Sequence, residues 1–168
     1  MLYHLSMTNQ NMSTEPSQPH DHEHCVDTAL ARARELCEAR HVQLTPLREK
    51  VLAIVWRSHT PVGAYDVLDT LSRTHKAARP PTVYRALDFL MSEGLIHKIE
   101  SLNAYLGCDE AGHPHESQFL ICRQCGTTAE IIDAGLDKAL AAATEKANFT
   151  VERKVIEIAG TCWRCQPG

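Results

Sequence analysis

A two-part α+β fold is predicted: an N-terminal winged helix-turn-helix domain followed by a small α/β unit. Three features predict it. Four helical patterns follow one another between residues 26 and 94. Two short β-like runs come next, Leu95–Ile99 and Ala104–Gly107. The last third is bracketed by two Cys-x-x-Cys pairs, Cys122/Cys125 and Cys162/Cys165. The 168 residues suffice for one domain or two small ones. A composition of 43% hydrophobic and 23% charged residues supplies a core and argues against wholesale disorder.

Residues 1–25 are polar, with little apolar periodicity, and are expected to form a disordered tail. Its end, His20-Asp21-His22-Glu23-His24-Cys25, reads as a solvated segment that meets metal adventitiously. From Val26 to Arg40, Leu30, Ala33, Leu36 and Cys37 recur at helical spacing. Thr45-Pro46 starts a second helix, with a capping hydroxyl and a proline where its missing N–H costs nothing. Leu47, Val51, Ile54 and Val55 give this helix its apolar face as far as about Ser58. A third helix over 64–74 turns Val67, Leu68 and Leu71 inward. The fourth opens at Pro80-Pro81-Thr82, buries Val83, Leu87, Leu90 and Met91, and stops at Gly94. The following β-like runs make a hairpin around Ser101-Leu102-Asn103. The winged domain is thus expected over 26–104.

Residues 105–168 change character. Gln118–Cys122 and Thr127–Ile132 read as strands around a cysteine knuckle. Asp133 caps a helix over 134–147, with Leu136 and Leu140 expected to be buried. Phe149–Ile158 alternates apolar and charged residues and reads as a strand leading to the second cysteine pair. So small a unit has a marginal core, which a structural metal or a partner chain would help stabilise.

Charge is unevenly spread. The whole chain is at −4, but residues 26–104 carry 11 basic and 9 acidic side chains and are the one net-basic stretch. That is where a polyanion would be sought. No run reaches the roughly 18 apolar residues of a membrane span, and no basic region followed by an apolar run opens the chain, so a cytoplasmic protein is expected. Seven cysteines, an odd number, argue against a disulfide framework and for metal ligation.

Three groups of residues carry chemistry. Cys122, Cys125, Cys162 and Cys165 supply four thiolates, the complement of a tetrahedral, closed and therefore structural zinc site. The competing reading is a pair of redox centres, but neither pair opens a helix as thioredoxin-like pairs do. A second cluster, His97, Cys108, His113, His115, Glu116 and Glu130, offers a mixed nitrogen, oxygen and sulfur set that zinc accepts. His97 sits on the proposed wing and Glu130 on a strand of the far unit, so such ligands would bridge the two. On the fourth helix, Thr82, Tyr84 and Arg85 fall on the face opposite Val83 and Leu87. As the first turns of a recognition helix, they would place Arg85 within reach of a guanine edge and Tyr84 or Thr82 near a phosphate or a thymine methyl. An ordinary amphipathic helix with a solvated arginine fits the same pattern. No Ser/His/Asp set, phosphate loop or general-acid pair supports an enzyme.

The run Pro80-Pro81-Thr82-Val83-Tyr84-Arg85-Ala86-Leu87-Asp88-Phe89-Leu90 and the segment Gly94–Ser101 resemble the Fur family of metalloregulators, in its zinc-sensing branch. Leu44-Thr45-Pro46-x-Arg48, Ala64-Tyr65-Asp66-Val67-Leu68, His113-Pro114-His115 and the two cysteine pairs add to the likeness, which spans about residues 27–165. The resemblance implies a hinge near 104–108, a C-terminal dimerisation domain over 105–168 and a homodimer bound to an AT-rich palindromic operator in double-stranded DNA. It implies structural zinc on the four cysteines and regulatory zinc on His97, Cys108, His115 and Glu130, two zinc ions per chain. It implies base contacts from Tyr65 and Arg85, and a part for Asp69 where neighbouring dimers meet on one operator. His113 departs from the family pattern and competes with His115 as ligand. The function implied is repression of zinc-uptake genes with zinc as corepressor. An iron- or peroxide-responsive member of the same family, and a zinc-ribbon enzyme or metal-storage protein, are the alternatives.

Overall fold

Each helix of the N-terminal part begins and ends where local chemistry allows. The computed structural model describes residues 22–58, 60–76, 78–112 and 117–166. Helix α1 (His22–Ala39) starts four residues ahead of Val26, inside the segment expected to be tail; residues 1–21 lie outside the described residues. It buries Val26, Ala33 and Cys37, while Leu30 and Leu36 lean on the core from its rim. Helix α2 (Pro46–Arg57) opens as expected: Thr45 is its N-cap, its hydroxyl accepts from the Arg48 N–H, and Pro46 holds the first position. Val51, Leu52 and Val55 are buried; Leu47 and Ile54, expected inside, are half-buried beside them. Helix α3 (Ala64–Thr74) buries Val67 and Leu71, and α4 (Pro80–Ser92) buries Val83, Ala86, Leu87 and Leu90. Gly94, at φ +68°, takes the left-handed turn that ends α4 and lets Leu95 N–H bond back to Leu90 O.

A three-stranded antiparallel sheet, ordered β1-β3-β2, closes this domain. Strand β1 (Val62–Gly63) has only two residues and no alternation to read, so the sequence gives no sign of it. Strands β2 (Ile96–Ile99) and β3 (Ala104–Gly107) form the wing, joined by a 3₁₀ turn, Glu100–Leu102, and by Asn103 at φ +46°. Packing carries the helical core past residue 104: Tyr105, Cys108 and Ala111 are buried in it.

The C-terminal unit is a second sheet, β5-β4-β6, with one helix. Strand β4 (Gln118–Cys122) runs antiparallel to β5 (Thr128–Ile131) and parallel to β6 (Ile156–Gly160). Asp133 caps α5 (Ala134–Lys146) by accepting from the Gly135 and Leu136 amides. Two expectations fail here. Leu136 and Leu140 are half-buried, because α5 has no fully buried residue. The strand expected over Phe149–Ile158 forms only from Ile156, and Phe149, Val151, Val155 and Ile158 are exposed. Alternation marks apolar residues on one face but does not say what covers that face, and among the described residues these four side chains stay exposed.

The two parts meet along a seam. Ile99, Phe119 and Ile121 make a small second core with Leu106, so the wing lies against β4. Among the described residues no helix is long and apolar enough to cross a membrane.

Candidate metal centres and nucleic-acid interface

Sheet register assembles the four cysteines. Parallel pairing sets Cys122 opposite Gly160, so the chain leaving β6 delivers Cys162 beside it, with the Cys162 amide 3.3 Å from Cys122 Sγ. The knuckle turns at Gly126, φ +73°, whose N–H bonds back to Cys122 O. Each of the four offers a sulfur within 4.8 Å of the others. Cys125 and Cys162 approach to 3.7 Å, far beyond a disulfide bond of about 2.05 Å, and all four are free thiols. Amide N–H groups of Cys162 and Cys125 pull Cys122 down to about 6, and the Thr127 hydroxyl lowers Cys125. Cys165 is pushed up to about 12, first by its contact with Cys162 and then with Cys125. Thiolates crowded together resist further ionisation, and a divalent cation removes that resistance. A closed four-sulfur set of this kind fits structural zinc.

The second cluster sits in the seam. His97 comes from β2, Cys108 from the residue after β3, and Glu130 from β5; their ligand atoms lie within 4.8 Å of one another. His97 Nε2 is 3.2 Å from Glu130 Oε1, and the Phe119 ring meets His97 edge-on at 5.3 Å. Burial, then the Glu130 carboxylate, pushes the Cys108 thiol up to about 12. One thiol, one imidazole and one carboxylate from two domains form a borderline-soft donor set, which fits zinc better than a hard cation. His113, His115 and Glu116 lie outside the described residues. Sequence reading missed Ser117, whose hydroxyl donates to Glu130 Oε1 at 2.5 Å and lies 3.3 Å from His97 Nε2. A serine carries no ligand signature; its place beside β4 alone brings it there.

On the helical domain, Tyr65 stands in the first turn of α3, 71% exposed, and Tyr84 and Arg85 are exposed on α4, with Thr82 half-buried ahead of them. Thr82, Arg85 and Ala86 line a shallow groove with Thr45, Leu47 and Arg48, where the N-termini of α2 and α4 come together. Helix N-termini with a free arginine-bearing face suit a phosphate backbone and a base edge. Arg48 is not part of that free face: its guanidinium stacks 3.5 Å above the Phe89 ring. Asp69 pairs with Arg73 one turn on along α3, at 2.7 Å.

The profile of the ferric uptake regulator family matches residues 39–159. The chain is 40% identical to the zinc uptake regulation protein of Escherichia coli (strain K12) over 137 residues, 81% of this chain and 80% of that one. Among solved structures, it resembles a zinc uptake regulator complexed with zinc and DNA, at 39% identity and a TM-score of 0.80, covering 83% of this chain and 94% of the other. It also resembles XcZur. The TM-score is 0.76 with the holo form, at 36% identity over 83% of this chain and 97% of that one. With the apo form it is 0.50, at 35% identity over 84% and 98%.

Proposed function

The chain belongs to the ferric uptake regulator family, and on that premise we propose that it is a zinc-responsive, DNA-binding transcriptional regulator that represses zinc-uptake genes. It works in the cytoplasm as a homodimer on an AT-rich palindromic operator, and its chemistry is binding rather than catalysis. One observation carries the reading: His97, Cys108 and Glu130, drawn from both domains, converge in the seam between them.

Zinc, when bound, supplies a Lewis-acidic centre that stabilises thiolates and draws ligands from separate segments together. Cys122, Cys125, Cys162 and Cys165 would hold one ion, which would fasten the knuckle after β4 to the end of β6. His97, Cys108 and Glu130, with His115 or His113 as fourth ligand, would hold the second. Ser117 orients Glu130 by its hydrogen bond. As a ligand Cys108 would act as a thiolate, so its thiol proton would have to leave. With the seam closed, the two α4 helices of a dimer are held at a separation that matches successive major grooves, about 34–36 Å. Arg85 and Tyr65 then meet bases, and Thr82 and Tyr84 meet the backbone. With the seam open, the helices sample other separations and the affinity falls. The coupling is reciprocal, so operator DNA tightens zinc binding by the same factor. The uncovered Phe149, Val151, Val155 and Ile158 support the homodimer, since a second copy gives them a partner. The Cys108 thiol favours zinc over iron.

The deciding experiment is a titration of free zinc, with ferrous iron and manganese in parallel, against binding to an AT-rich palindromic duplex. Zinc-dependent binding at low free zinc is expected. Binding restored only by iron or manganese would overturn the zinc reading.

A further inference from the structure

Two acidic side chains reach from the C-terminal sheet to the winged domain, and only one belongs to a metal-ligand set. Phe119 on β4 pairs with Glu130 on β5 and with Glu157 on β6, so the three form one cross-strand row on one face of the sheet. At one end of the row Glu130 meets His97. At the other, the Glu157 carboxylate accepts a 2.6 Å hydrogen bond from the Glu100 N–H and a 2.9 Å bond from the Ser101 N–H. These amides open the 3₁₀ turn of the wing, where N–H groups have no partner inside the turn. Each carboxylate oxygen takes one donor, and charge-assisted bonds of this kind are among the stronger ones. Burial pushes the Glu157 carboxyl up, but the Ser101 and Glu100 hydrogen bonds outweigh it and hold it below the usual range, so it is ionised at neutral pH. The same turn is gripped a second time: Arg153, three residues ahead of β6, pairs with the Glu100 carboxylate, which also pairs with Lys98 at 2.8 Å.

We propose that Glu157 is an interdomain latch: by holding the Glu100 and Ser101 amides it keeps the wing seated so that His97 and Cys108 stand ready at Glu130, and it thereby sets the free-zinc concentration at which the regulatory site fills. The proposal rests on the reading of that site as a zinc sensor. His97 and Glu100 are three residues apart on one hairpin, so fixing the turn fixes the ligand. The latch needs no metal. It raises the fraction of chains whose seam is closed before zinc arrives, and apparent affinity scales with that fraction.

The test uses the full chain and zinc alone, without DNA. Wild type, Glu157→Ala and Glu157→Gln are titrated against a zinc-buffering chelator, and small-angle X-ray scattering is recorded on protein holding only its structural zinc. Glu157→Ala is expected to keep the structural zinc, to weaken the second zinc about five- to 150-fold, and to scatter as a more open particle. Glu157→Gln, which keeps one acceptor oxygen, falls between. Wild-type zinc affinity and scattering in Glu157→Ala overturn the latch. If the alanine variant loses its structural zinc, Glu157→Gln decides, and wild-type affinity there overturns the latch equally. A wild-type chain that binds no second zinc overturns the sensor reading instead.

Discussion

Ser117 Oγ sits 2.5 Å from Glu130 Oε1 and 3.3 Å from His97 Nε2, so one hydroxyl touches a proposed ligand on each side of the interdomain seam. A hydroxyl that fixes a ligating carboxylate sets both its rotamer and its basicity. Ser117→Ala is therefore expected to weaken regulatory-zinc binding by about 10- to 100-fold, the usual cost of losing such a partner. The four-cysteine zinc should stay, and the melting temperature of the metal-poor protein should barely change. Chelator competition reads the first, metal analysis the second. Unchanged regulatory affinity would show that Glu130 needs no help from Ser117.

The proton on Cys108 gives a second expectation. In the metal-free chain its thiol is pushed up to about 12 by burial and then by Glu130, so it is protonated through the neutral range. A ligating thiolate has lost that proton. Filling the site at any pH below about 12 thus releases it, and affinity must rise with pH. Between pH 7 and 8.5, above the ordinary histidine range, regulatory-zinc affinity should climb by about tenfold per pH unit for each proton released. Competition titrations at several pH values check this, and a flat profile would remove Cys108 from the ligand set.

Legibility in the sequence followed the range of the interactions involved. Thr45-Pro46 and Gly94 announced the start of α2 and the end of α4 because caps are local. The cysteine pairs were legible because each knuckle is set by its own four residues. β1 was not, since Val62 and Gly63 become a strand only by pairing with Tyr105 and Ala104, some forty residues on. Phe149 to Val155 was misread because alternation reports an apolar face and not its cover. Glu130 could be grouped with His97 and Cys108 by residue type, but only the pairing of β5 with β4 brings it to them. Ser117 and Glu157 had no signal at all, because their positions follow from the register of β4 with β5 and β6.

Arg85 tests the recognition face. It is exposed on α4 beside Tyr84 and belongs to neither candidate metal cluster. If it reads a guanine, Arg85→Ala should cost about 1–3 kcal/mol of operator affinity and relax the preference at one base position in each half-site. Zinc content and dimerisation should match wild type. Binding isotherms on a set of single-base operator variants measure both effects. Equal affinity and equal selectivity would mean that another residue is the reader.

Cys125→Ser separates the structural site from everything else. The four sulfurs stand where β4 and β6 end, in a unit whose helix buries no residue fully, so a metal bound there would replace core that the unit lacks. Loss of one ligand should release one zinc per chain and leave the C-terminal unit unfolded or unable to dimerise. Metal analysis with sedimentation reads the outcome, and a stable dimer with its full zinc complement would refute the structural role.

Cys108→Ser asks whether sensing and folding are separable, and which histidine completes the site. Cys108 is the one thiol among the three residues that meet in the seam, and a serine hydroxyl is a poor zinc ligand at neutral pH. The residue is also 1% exposed and belongs to the helical core, so the substitution must not empty that core. Serine is close to cysteine in volume and leaves no large cavity, though its buried hydroxyl costs some stability unless it finds a hydrogen-bond partner. The expected product is a folded dimer that keeps one tightly held zinc per chain and shows little zinc-dependent DNA binding. His115→Ala should do the same if His115 is the fourth ligand, with His113→Ala milder; the order reverses if His113 is the ligand. Metal content after dialysis, thermal melting and a DNA-binding isotherm at buffered free zinc distinguish these cases. Normal zinc-responsive binding by Cys108→Ser would place the sensing ligands elsewhere.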